Sequence, residues 1–134
     1  MTTINKTLDN IKQSAATHTA QERFVRTMQI GEWFAQGDLD IIQITKIEFD
    51  SLKGVKTQHQ LAPGSTKGSR HIASNGVQVF TNKNNDALAG PVLSATARWS
   101  VTHPEHADVS LPAGYYRIDY QRDYELEERE RVRD

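Results

Sequence analysis

PVLSATARWSV, Pro91 to Val101, alternates apolar and polar residues along its whole length. Leu93, Ala95, Ala97, Trp99 and Val101 fall on one side, and Ser94, Thr96, Arg98 and Ser100 on the other. Successive side chains of a strand point to opposite faces, so this is the pattern of a strand with one face on a core and one in water.

Working outward, the same grammar recurs in shorter pieces. Downstream, Val109–Leu111 and Tyr115–Tyr124 read as strands joined by Pro112-Ala113-Gly114, a turn that sets a hairpin, with Tyr116, Ile118 and Tyr120 on one face. Upstream, Asn82–Gly90 is a polar loop. Short strands are expected at Gln58–Ala62, Arg70–Ala73 and Val77–Thr81, with Asn75-Gly76 as a hairpin turn between the last two. Leu39–Phe49 is Ile-rich and partly alternating, and follows the turn signal Gln36-Gly37-Asp38.

The first residues differ. Ile4, Leu8, Ile11 and Ala15 recur at helical spacing, and Thr19 to Glu22 spells a capping box ahead of Phe24, Val25 and Met28. The expected fold is mainly β (α+β): a small antiparallel β-sandwich or barrel spanning residues 30–134, with a helical extension over residues 1–29.

Composition narrows the function classes. The chain has 134 residues, 37% hydrophobic and 25% charged, the balance of one soluble globular domain. A net charge of -1 argues against nucleic acid as the partner, because no global basic field exists. With no cysteine, disulfides, thiolate metal sites and cysteine nucleophiles are excluded. No stretch is long and apolar enough to span a bilayer, and the start of the chain lacks a continuous apolar signal core. The expected location is therefore cytoplasmic, without secretion.

Four groups of residues carry chemistry. His103-Pro104-Glu105-His106 sets two imidazoles three residues apart on a turn, and neutral imidazole binds divalent transition metals. His71 is the candidate third donor and Glu105 or Asp108 the carboxylate, so a divalent metal is the cofactor this cluster would take. The loop from Pro63 to Arg70, with Lys67 and Arg70, suits an anionic ligand, although its order does not match a phosphate-binding P-loop. Gln121, Arg122 and Tyr124 form a polar block able to clamp a carboxylate or phosphate. Ile4, Leu8 and Ile11 make an apolar stripe suited to docking or self-assembly.

The block THPEHADVSLPAGYYRIDYQRDY, from Thr102 to Tyr124, resembles the C-terminal part of a group of small uncharacterised phage and bacterial proteins. These read H-x-E-H-A-x-I-x-L-P-x-G-x-Y-x-V-x-x-Q-R-E-Y before a charged tail. Gly37-Asp38-Leu39-Asp40-Ile41 is similar to an earlier strand of that group. Gly68-Ser69-Arg70-His71 falls on its Gly-His-x-His segment, with Ser69 in place of the first His. The resemblance implies a phage or mobile-element setting, with the chain in the host-cell cytoplasm or on a virion, and a shared geometry around His71, His103 and His106, and brings no activity with it.

Two readings follow. One is a non-enzymatic phage-type accessory protein working through contacts with a protein partner or with its own copies, as a homo-oligomer. The other is a histidine-lined site for a metal or small anionic ligand, with Glu105 as base to a metal-bound water.

Overall fold

The computed structural model describes residues 23–64 and 67–121, and the Ile4, Leu8, Ile11 stripe lies outside them. Among the described residues, ten strands form two open sheets. They are β1 (Arg23–Phe24), β2 (Trp33–Gln36), β3 (Leu39–Ile44), β4 (Lys53–Lys56), β5 (Ile72–Ala73), β6 (Val77–Asn82), β7 (Ala89–Ala95), β8 (Trp99–Thr102), β9 (Val109–Leu111) and β10 (Gly114–Tyr120). The smaller sheet runs β1-β9-β8-β5 and the larger β2-β3-β10-β7-β6-β4. All strand pairs are antiparallel except β1 with β9. Neither sheet closes on itself, so the sandwich expectation holds and the barrel alternative does not.

The main core lies between the sheets. Leu39, Ile41, Val79, Leu93, Tyr116 and Ile118 of the larger sheet meet Trp99, Val101, Val109 and Leu111 of the smaller one. Each side chain removed from water here stabilises the fold by roughly 1.5–3 kcal/mol. Tyr116 is fully buried, and its hydroxyl donates to the Pro112 carbonyl at 2.7 Å, while its ring meets Trp99 edge-on with centroids 5.1 Å apart.

The Pro91–Val101 alternation is real but belongs to two strands. β7 ends at Ala95, Thr96–Arg98 are exposed, and β8 begins at Trp99 in the opposite sheet. Leu93, Ala95, Trp99 and Val101 all reach the core, from opposite sides of it, while Ala97 is exposed. The two expected hairpins change in the same way. Asn75-Gly76 links β5 to β6, and Pro112-Ala113 links β9 to β10, and each passes from the smaller sheet to the larger. A turn signal fixes a local reversal and says nothing about which sheet the next strand joins.

The Ile-rich run divides too. β3 stops at Ile44, and Thr45 caps a helix α1 (Lys46–Leu52), its hydroxyl accepting from the Glu48 amide at 3.1 Å. Strand β3 is apolar on both faces. Leu39 and Ile41 face the main core, whereas Ile42 and Ile44 face a second cluster with Val92 and Phe49 of α1. Gln58–Ala62 is not a strand, and contributes one bridge, Gln60 to Ile72. The chain from Arg23 is extended rather than helical, with Val25 and Met28 packed against the main core, so β-structure begins ahead of residue 30.

Phe49 is 3% exposed and packs on Phe80 and Tyr115, with ring centroids 5.6 and 5.0 Å away. Phe49→Ala is expected to cost about 3–5 kcal/mol of stability. Urea unfolding of the two proteins measures it, and a loss under ~1 kcal/mol would mean that α1 does not seal the outer face.

Candidate functional site

The β2–β3 turn has Gly37 with φ of 55° at its first central position, where a type II′ hairpin turn calls for positive φ. A Cβ at Gly37 would lie 2.6 Å from His106 Nε2, so the bare glycine is also what lets this ring lie against the turn. The β8–β9 loop carries His106 there, and carries His103 just past the end of β8. His71 arrives on the segment before β5, whose backbone is held where the Leu61 amide donates to the His71 carbonyl at 2.8 Å.

The sequence had grouped these rings correctly. Ring centroids are 4.3 Å apart for His71 and His103, 4.5 Å for His103 and His106, and 6.3 Å for His71 and His106. His71 and His103 are buried and His106 is exposed.

At the centre stands a residue that the sequence had given only as part of a turn. Gln36 is 0% exposed. Its Nε2 donates to the carbonyls of Val101 at 3.0 Å and Ala107 at 2.9 Å. That fixes the amide's orientation, so Oε1 is the acceptor and His71 Nδ1–H donates to it at 2.8 Å. A Gln ahead of a Gly-Asp turn was the only signal, and it says nothing about which groups the side chain will meet.

The tautomers limit what the cluster can bind. His103 Nδ1 accepts from the Glu105 amide at 2.9 Å, which leaves its proton on Nε2, pointing at the Gly68 carbonyl 3.4 Å away. Its lone pair is therefore spent, and Glu105 contributes its backbone rather than its carboxylate. Among the described residues, no group of three or more His, Cys, Asp or Glu side chains has the spacing to hold a metal ion. As built, the cluster is a hydrogen-bonded clamp between the sheets.

Burial, with a smaller contribution from charge on His103 and His106, holds the His71 pKa down to about 3. The His106 pKa is lowered by burial first, then by His103, with Asp38 and Glu105 acting in the opposite direction.

Of the other candidates, only Arg70 and Gln121 have side chains among the described residues. Arg70 is exposed beside His71. The Gln121 side chain donates to Asp40 Oδ1 at 3.2 Å, and its amide to the Asp38 carbonyl at 3.0 Å, so it fastens the end of β10 to β3. Arg122, Tyr124 and the Lys67 side chain lie outside the described residues.

A different surface emerges at the edge strands β1 and β2. Phe24, Ile30 and Trp33 are 60%, 58% and 62% exposed. The Arg98 guanidinium lies 3.9 Å from the centre of the Phe24 ring and donates to the Arg26 carbonyl at 3.0 Å. Arg23 lies over Phe34 at 4.8 Å and donates to the Ala35 carbonyl at 2.9 Å. Among the described residues, Arg23, Arg26 and Arg98 form no ion pair. Sequence reading had assigned Phe24 to a helix and Arg98 to a plain polar face, and so missed their meeting.

Fold and site together define a small open β-sandwich whose sheets are clamped by a Gln–His network. A family model described as a domain of unknown function (DUF8820) matches residues 35–121, and the chain belongs to that family. No curated protein and no solved structure matches the chain.

Neutral His71 is favoured in the folded state, so the unfolded chain binds more protons below its ordinary pKa of 6.5. The stability it contributes is complete above pH 6.5 and is lost as pH falls toward 3. The slope reaches about 1.4 kcal/mol per pH unit. Urea midpoints measured across this window should fall with pH, and His71→Asn, which keeps a donor for Gln36 without titrating, should flatten the profile. An unchanged slope in that variant would assign the acid sensitivity elsewhere.

Proposed function

We propose that this domain is a non-enzymatic accessory protein that works by protein contact through the β1–β2 edge. Its resemblance to phage proteins supports a virion-associated or host-directed role. The observation that carries the reading is the conjunction of exposed Phe24, Ile30 and Trp33 with arginines that lack ion-pair partners among the described residues. Large apolar side chains with arginine are what interfaces concentrate, and an arginine held over an aromatic ring keeps donors for a partner's carboxylate.

The partner chemistry follows from charge: a segment carrying apolar and acidic side chains. A pairing of two copies through this edge would bring together two surfaces that each carry Arg23, Arg26 and Arg98, which disfavours self-association there, so the proposed partner is a different protein. Arg23 caps the outward Ala35 carbonyl of β2, so recognition is by side chains more than by adding a strand to the sheet.

Displayed random peptides selected on the full chain should converge on sequences rich in Asp or Glu with aromatic or aliphatic residues. Binding should shift Trp33 fluorescence, since Trp99, the second of the chain's two tryptophans, is buried. Trp33→Ala and Arg98→Ala should each weaken the selected peptides about tenfold or more, with the cooperative fold retained. Convergence on neutral or basic peptides, or affinities indifferent to both substitutions, would refute the proposal, as would a dimer abolished by Trp33→Ala.

A further inference from the structure

A second surface feature is chemically unlike the arginine edge. Between the segment after β4 and the β6–β7 loop lies an open cleft of about 260 Å³, room for a hexose ring. Its lining includes Thr57, Gln58, Gln60, Thr81, Asn82 and Tyr120, and among the described residues it contains no Asp, Glu, Lys, Arg or His. In a chain with 25% charged residues, such a lining sets the cleft apart from the rest of the surface.

The hydrogen-bonding capacity left over in this cleft defines what it can take. The Gln60 amide nitrogen is committed to the carbonyls of Ala62 at 2.8 Å and Gly64 at 2.6 Å, leaving its Oε1 as an acceptor. Thr81 Oγ1 accepts from the Val55 amide at 3.0 Å, leaving its hydroxyl proton to donate. Asn82 is used at both ends, by the Gly90 carbonyl at 3.0 Å and the Asn84 amide at 2.8 Å, and so holds the wall in place. The side chains of Thr57 and Gln58 are exposed, and among the described residues neither has a hydrogen-bond partner. Tyr120 is anchored by its hydroxyl donating to the Leu61 carbonyl at 2.9 Å. Its ring packs so close over Gly90 that a Cβ there would come within 3.0 Å of it.

We infer that this cleft binds a neutral polyhydroxylated ligand, a hexose or the terminal sugar of a glycan, by hydrogen bonds from Thr57, Gln58, Gln60 and Thr81 beside the fixed Tyr120 ring. Among the described lining residues an anion would find no cation, and a cation no carboxylate. A purely apolar ligand would bury amides and hydroxyls without partners, which is costly. Sugar hydroxyls both donate and accept, which matches the mixed capacity left by the glutamines and threonines. The C–H face of a pyranose matches the apolar share of the lining that Leu61, Pro63 and Pro91 supply.

Saturation-transfer NMR on the full chain, with glucose, galactose, mannose and N-acetylglucosamine as probes, tests this directly. Glucosamine, sialic acid and an uncharged tripeptide complete the panel. Expected is saturable binding of at least one neutral sugar in the millimolar range or tighter, with little transfer to the charged probes. Gln58→Ala and Thr57→Ala change exposed side chains, so the fold should persist, and each should weaken that sugar about fivefold or more. Gln58→Glu should weaken it as well, by removing the amide donors. No neutral sugar binding to the folded protein, preference for the tripeptide or a charged probe, or affinity indifferent to Gln58 and Thr57 would overturn the inference.

Discussion

One buried amide holds the two sheets to each other. Gln36 sits at the end of β2 in the larger sheet, yet its nitrogen donates to β8 of the smaller sheet and to the β8–β9 loop, and its oxygen receives His71 ahead of β5. A sandwich core is non-directional, and apolar burial alone would let the sheets slide or rotate. A fully satisfied polar group inside it fixes one arrangement, because any other leaves several buried groups without partners. The histidines act around that point. His71 completes the amide's bonding, His103 turns the loop back through the Glu105 amide, and Gly37 leaves the room that His106 occupies.

The same chemistry explains why a histidine cluster is not automatically a metal site. Imidazole ligates through a lone pair, and here the His103 lone pair is already engaged by a main-chain donor. What the sequence shows is the spacing of His103 and His106, and their nearness to His71 follows from the fold. Which ring nitrogen is free depends on local backbone turns that spacing does not encode.

The legible part of this chain was its periodicity. The alternation in Pro91–Val101, the apolar face of Tyr116 and Ile118, and the Gly37 turn all have counterparts in the sandwich. Less legible was the assignment of strands to sheets, because Thr96–Arg98 interrupts a strand without breaking the alternation, and both turn signals join strands of opposite sheets. Thr45-Lys46-Ile47-Glu48 is a capping box in plain view, hidden by the strand-like run before it. Gln36 could not be read as a structural centre, since its partners are carbonyls supplied by distant segments. The meeting of Phe24 with Arg98 was hidden for the same reason.

The parallel pairing of β1 with β9 bears on how the molecule is made. Arg23 finds Val109 as its partner, and Phe24 finds Ser110, so the first of the described strands waits for a strand made much later. Closing so long a loop comes at a high entropic cost, and non-local pairings of this kind slow folding. During translation the apolar residues that follow β1, Val25 and Met28, have no finished surface to cover until β9 has emerged. The smaller sheet is thus a late product of synthesis, and the growing chain passes through a stage in which β1 and the segment after it are bare.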